Sequence, residues 1–170
     1  MSLFNNIEIN NKNYKFILID INQLTLFLNN NSLKESFIQI IKEHKSDYSI
    51  EKLINDSKKL SNKITNFFIL YKKNTVVHIE RFVYMIKSNS TYLDFIHTNI
   101  SYRKKGIANA CLYLLISKTK NKFKTYELKV RKSNCSAIKL YKNNNFKIIS
   151  IIQQENNNKT IDVLIMKLLI

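Results

Sequence analysis

One glycine, Gly106, stands in a chain of 170 residues that otherwise makes its turns with asparagine. It lies in SYRKKGIANACLYLL, between a β-like run ending at Thr98 and an apolar run at helical spacing. A strand-to-helix turn built on small residues, Gly106 and then Ala108, leaves backbone N–H groups open at a helix N-terminus. There they donate to an anion, and the helix dipole adds a favourable field. A missing Cβ lets a phosphate approach the backbone closely, and Arg103, Lys104 and Lys105 bring positive charge to the same turn. The competing reading is an ordinary tight turn with solvated basic side chains. A second group, Asn134, Ala137 and Tyr141, falls one helical turn apart and so shares a face. Asn134 is also well placed to cap that helix. The three histidines, His44, His78 and His97, have neither HxxxH spacing nor a cysteine or carboxylate set beside them in sequence, which argues against a metal site.

The elements that must hold these residues follow from periodicity. Asn10–Ile21 reads as a first strand, Ser32–Lys45 as a helix with a capping box from Ser32 to Glu35, and Ser49–Leu60 as a second helix. Phe67–Tyr71 and Thr75–Ile86 are strand-like about a turn at Lys72–Asn74, and Tyr92–Thr98 is a further strand. Gly106–Lys120 is a helix, Tyr126–Val130 a strand, and Ala137–Asn143 a short helix. Phe146–Gln153 and Ile161–Leu169 close the chain as a hairpin about Asn156–Lys159. The strand–helix–strand segment from Tyr92 to Val130 has a crossover long enough to make its strands parallel neighbours. The other pairs look like hairpins. The expected fold is therefore one α/β domain over residues 1–170 with a mixed sheet.

Composition excludes several classes. At 45% hydrophobic residues the chain can build a packed core. No apolar run approaches the ~20 residues of a membrane span, and the N-terminal stretch lacks a signal-peptide core. Cys111 and Cys135 form no CxxC pair, so the expected compartment is reducing and cytoplasmic. The net charge of +16 rests on 25 lysines against 3 arginines, beside 26 isoleucines and 24 asparagines, a pattern typical of an A+T-rich coding sequence. That bias does not explain why residues 1–85 hold 12 basic and 8 acidic side chains while residues 86–170 hold 16 and 4. An anionic ligand for the second half is the simplest account.

Arg103–Ala108 resembles the (Q/R)xxGx(G/A) pyrophosphate loop of the GNAT superfamily of acetyl-CoA-dependent N-acetyltransferases, and Tyr102–Ala108, YRKKGIA, is similar to its YRGKGIG. LKVRKSNCSAIKLYKNNNF, Leu128 to Phe146, resembles the family's LxVxxxNxxAixlYekxGF. The likeness covers residues 67–170 well and residues 1–66 only through a strand and two helices. Asn145 stands where the family has glycine, at a helix end that calls for positive φ, which asparagine tolerates. The resemblance implies a largely antiparallel sheet of six to seven strands with about four helices and one parallel pair at the loop. It implies acetyl-CoA as acetyl donor and no metal. The pyrophosphate would lie on the N–H groups of Lys105, Gly106, Ile107 and Ala108, and the pantetheine arm beside Ile96, His97 and Thr98. Asn134, Ala137 and Tyr141 would line the cofactor.

The resemblance further implies direct transfer to a primary amine, with Tyr141 protonating the departing thiolate and Asn134 bonding the cofactor or a water. For the base, Tyr92 falls where the family places a proton acceptor, Asp94 lies two residues on, and Glu127 is a third option. Strict alternation puts Tyr92, Asp94, Ile96 and Thr98 on one face and Leu93, Phe95 and His97 on the other, so His97 reads as a core histidine. The acceptor is an amine on a small molecule or a protein, with a slight lean to peptide amines, and the protein would be a monomer or homodimer. Two other readings remain: a basic nucleic-acid-binding module, against which stand the few arginines and missing motifs, and a family member that binds the cofactor without catalysis.

Overall fold

In a computed structural model of the chain, residues 5–44, 49–58, 63–85, 89–156 and 159–170 are described. The expected ends at Lys45, Leu60 and Ile86, and the tip of the last hairpin, lie outside them. The elements run β1 (Asn5–Ile9), β2 (Lys12–Asp20), α1 (Ile21–Phe27), α2 (Asn31–His44), α3 (Ile50–Lys58), β3 (Lys63–Lys72) and β4 (Thr75–Met85). Then come β5 (Ser90–Thr98), a 3-10 turn (Ile100–Tyr102), α4 (Ile107–Thr119), β6 (Thr125–Arg131), α5 (Cys135–Asn143), β7 (Lys147–Asn156) and β8 (Lys159–Leu169). The eight strands form one sheet in the order β1-β2-β3-β4-β5-β6-β8-β7, antiparallel except for β5 beside β6. This is the mixed, largely antiparallel architecture expected, with more elements than the six to seven strands and four helices read from the sequence.

The additions are β1 and α1. β1, NNIEI, is short and polar, and it exists because Asn10 and Asn11 both take positive φ, at 49° and 58°, closing a two-residue hairpin onto β2. α1 starts where Asp20 accepts from the N–H groups of Asn22 and Gln23 at 2.8 and 2.9 Å while the Gln23 side chain accepts from the Asp20 N–H at 3.1 Å. The capping box expected at Ser32 is not there. α2 begins one residue earlier, and Asn30 caps it, its side-chain oxygen accepting from the Leu33 N–H at 3.1 Å.

Each face of the sheet carries its own core. Under α4 and α5 lie Phe68, Leu93, Cys111, Leu112, Tyr126, Leu128, Tyr141 and Met166, among others. Under α1, α2 and α3 lie Ile17, Leu24, Phe37, Ile40, Leu53, Phe67, Ile69 and Phe95. Burying both faces removes the helices' apolar stripes from water and fixes the sheet between two layers. Leu93 and Phe95 sit two residues apart yet belong to opposite cores. The cause is a β-bulge: Phe95 pairs with Arg81 and Leu93 with Phe82, so Asp94 is an extra residue without a partner on β4. The strict alternation read from the sequence is therefore wrong past Leu93. Ile96 packs with Leu93 on the α4 side, while Phe95 and His97 turn toward α2.

Candidate active site

The parallel pairing of β5 and β6 lasts four residues, from Ser90 opposite Thr125 to Leu93 opposite Leu128. Beyond it the strands part, β6 staying with β8 and β5 with β4. A cleft of about 1120 Å³ opens there, with Leu93–His97 on one wall, Lys129–Arg131 on the other, Asn134, Ala137 and Tyr141 from α5 behind, and Glu43 and His44 from α2 in front.

Two helices start at this end of the sheet. α5 begins on Asn134, whose side-chain oxygen accepts from the Ala137 N–H at 3.1 Å. α4 begins on Gly106, which has no side chain to cap with, and no side-chain cap bond is made. Three of the other helices start on a capping oxygen as well: Asp20 for α1, Asn30 for α2 and Ser49 for α3. The first-turn N–H groups of α4 thus face outward without a partner from a capping side chain.

Gly106 has φ 72°. That alone does not call for glycine in this chain, because Asn10, Asn11, Asn89, Asn145, Lys73 and Lys104 all hold positive φ. Nor does packing call for it: a Cβ there would meet only the Asn10 amide nitrogen, at an ordinary 3.8 Å. The room at Gly106 is left toward the outside, the geometry a pyrophosphate on the backbone requires. Beside it, Lys12, Lys72, Lys73 and Lys105 surround a groove with Tyr14 and Tyr102, Lys105 and Lys72 lying over the Tyr102 and Tyr14 rings at 5.4 and 5.5 Å. The residues present fit an anionic cofactor at this turn.

The other expected site residues occupy different surroundings. Tyr141 lies at the back of the cleft, 8% exposed, its ring 5.9 Å from Phe146. Burial, then the Glu80 and Tyr92 charges, push its phenol well up, so it keeps its proton throughout the neutral range. Tyr92 sits below the divergence, opposite Glu127, with burial and then Asp94 and Glu127 pushing it up to about 12. Asp94 lines the cleft but gives both carboxylate oxygens to Arg81, at 2.8 and 2.6 Å. Glu127 is 3.5 Å from Lys167 and outside the cleft lining. Thr98 turns inward, its hydroxyl 2.7 Å from His78 Nδ1. Ile107 is a core residue, Ala108 is half-buried in the first turn of α4, and Lys104 stays at the surface of the loop. Asn145 takes φ 65°, the positive φ expected of it.

Arg103 and His97 differ most from expectation. The Arg103 guanidinium turns from the loop into the cleft: Nε donates to the Thr98 carbonyl at 3.0 Å and Nη2 to His97 Nε2 at 2.8 Å, with Glu43 at 3.4 Å. His97 is no core histidine; it lines the cleft beside His44, ring centroids 5.4 Å apart. Because arginine only donates, His97 Nε2 must accept, which fixes the Nδ1–H tautomer. Burial, then the Arg103 and His44 charges, bring its pKa down to about 4 against an opposing Glu43 carboxylate. Glu43 also accepts from the Ile100 N–H at 3.0 Å, tying α2 to the loop. Sequence reading missed Glu43 and His44. They lie more than fifty residues from the loop, and only their place at the end of an amphipathic helix could have singled them out.

Comparison with known proteins agrees with this geometry. Residues 33–146 match the model of the Acetyltransferase (GNAT) family, and the chain belongs to that family. No curated protein sequence matches the chain. Among solved structures, an N-acetyltransferase from Staphylococcus aureus Mu50 is 18% identical at a TM-score of 0.69, over 93% of this chain and 99% of that one. The ribosomal-protein-S18-alanine N-acetyltransferase of Escherichia coli is 19% identical at 0.65, over 91% and 93%. A GNAT family acetyltransferase from Elizabethkingia anophelis with acetyl-CoA bound is 19% identical at 0.56, over 73% and 85%. At these identities the likeness establishes the fold, and the fold is that of GNAT acetyltransferases. Among the described residues no group of three or more His, Cys, Asp or Glu side chains could hold a metal, and no helix is long and apolar enough to cross a membrane.

Proposed function

We propose that the chain is a single-domain, acetyl-CoA-dependent N-acetyltransferase that passes the acetyl group directly to a primary amine in a ternary complex, without a metal. The observation that carries this is the uncapped, glycine-started α4, whose loop turns Arg103 into a cleft that Tyr141 backs. It is supported by the acetyl-CoA held by one structural neighbour. When bound, acetyl-CoA supplies a thioester activated toward amines.

The N–H groups from Lys105 to Ala108 would hold the pyrophosphate, and an unpaired N–H on the diverging edge of β5, at Ile96–Thr98, would polarise the thioester carbonyl. Tyr141, protonated throughout the neutral range, donates to the sulfur as the carbon–sulfur bond breaks. Asn134 spends its oxygen on the helix cap, which leaves its amide nitrogen to face the cofactor or a water. The titratable groups that line the cleft are engaged: Asp94 is bound to Arg81, Glu43 to Arg103 and the Ile100 N–H, His44 packs on Phe95 and His97, and His97 is held neutral by burial. The amine therefore enters neutral, and its proton leaves through water. The slope of kcat/KM against pH then follows the acceptor's own ionisation, rising until the amine's pKa.

The buried Cys111 and exposed Cys135, both free, suit a reducing, cytoplasmic compartment. The test is a coupled assay for free CoA with amine acceptors, in wild type and Tyr141→Phe. Amine-dependent CoA release that the variant loses supports the reading, and none with any amine overturns it.

A further inference from the structure

The charges along the cleft are unevenly matched. Glu43 is held by Arg103 at 3.4 Å and Asp94 by Arg81 at 2.6 Å. The nearest acids on the neighbouring strands are taken too, Glu127 by Lys167 at 3.5 Å and Asp162 by Lys132 at 3.1 Å. Lys129 and Arg131 line the β6 wall, both exposed, and neither has a carboxylate partner among the described residues. Both also line a second groove of about 280 Å³ that continues from the cleft along β6 to the β7–β8 hairpin, where Gln154 and Glu155 close it. They alternate with Leu128 and Val130, which belong to the core under α4, so they sit on the α2 side of the sheet with His97.

Resting on the acetyltransferase reading, we propose that the acceptor is the N-terminal amine of a peptide whose next residues are acidic, its carboxylates lying over Lys129 and Arg131. Each element of the site points this way. With the cleft carboxylates matched, Lys129 and Arg131 outweigh Glu155, the one unmatched acid among the described residues of the groove, so a lysine-rich tail or a polyamine meets net repulsion. The groove running on from the cleft gives an extended chain somewhere to lie. With the cleft's carboxylates held in ion pairs, an α-amine, with its pKa about 7.7–8.0, presents far more neutral form near neutral pH than a lysine amine at about 10.4. Glu155 at the far end confines the preference for acids to the positions nearest the N-terminus.

The experiment compares four peptides of one length and one N-terminal residue, with Asp, Asn, Ser or Lys at the second and third positions. kcat/KM is measured for wild type, for the Lys129→Glu/Arg131→Glu double variant and for Lys129→Gln. Circular dichroism and acetyl-CoA titration check the fold of each. The expected result is about a tenfold or greater advantage of Asp over Asn in wild type, shrinking as salt rises. The advantage narrows in Lys129→Gln, and the double variant prefers the lysine peptide. A flat series, or a wild-type preference for lysine, overturns the proposal while leaving the acetyltransferase reading standing. Acetylation of no peptide and no simple amine, with acetyl-CoA bound normally, overturns both.

Discussion

α4 and α5 start at the same end of the sheet, each from the strand before it, yet they finish their N-termini in opposite ways. Asn134 closes α5 from within, its side chain on the Ala137 N–H, while Gly106 leaves α4 open. A helix that starts on glycine forgoes a few tenths of a kcal/mol, roughly, that serine or asparagine would supply at that position. Here that loss falls in a chain with 24 asparagines that readily hold positive φ elsewhere. The difference shows which terminus is structural and which is kept for a ligand. The closed one orients Tyr141, and the open one awaits an anion.

Four changes would break or sharpen this contrast. The largest effect belongs to Tyr141→Phe, which keeps the closed helix and removes its donor. Turnover should fall about 100-fold or more with acetyl-CoA affinity nearly unchanged, checked by single-turnover kinetics beside a binding titration. Next, Gly106→Asn keeps the positive φ and fills the space outside the open helix. Acetyl-CoA affinity should fall by roughly 10- to 100-fold while the fold survives, since asparagine takes positive φ four times already. Asn134→Ala opens the closed helix instead. Urea unfolding should show a loss of about 1 kcal/mol, with the cofactor still bound.

The smallest effect concerns His97, between the two termini. Its pKa is about 4 in the folded chain, below the usual histidine value, so the unfolded chain binds the extra proton first as pH falls. The stability that His97 contributes is therefore complete above about pH 6.5 and lost progressively toward pH 4. His97→Asn should flatten that part of the melting-temperature profile.

The open terminus was legible in the sequence because its signal is local: a lone glycine, a following alanine and three basic residues in one short turn. Asn134, Ala137 and Tyr141 were legible through the likeness of Leu128–Phe146 to the GNAT motif, and their helical spacing put them on one face. The parallel β5–β6 pair followed from the length of the crossover. What escaped depends on partners distant in sequence. The bulge at Asp94 exists only in register against β4, so neither the turn of His97 toward α2 nor the engagement of Asp94 by Arg81 could be read from β5 alone. Arg103 looked like part of the anion turn because it lies in the loop, yet Glu43 and His97 draw its guanidinium into the cleft. β1 was hidden by its polarity, and only the turn at Asn10–Asn11 pins it to the sheet.

The most direct test of the contrast is an amide chemical-shift titration of the isotope-labelled protein with acetyl-CoA. The account predicts saturable one-site binding with large downfield shifts at the amides of Lys105 to Ala108, and an Ala137 amide that stays in its bond to Asn134. Saturating binding that leaves the Lys105–Ala108 amides unmoved, or no binding at all beside salt-sensitive binding of DNA, would contradict it.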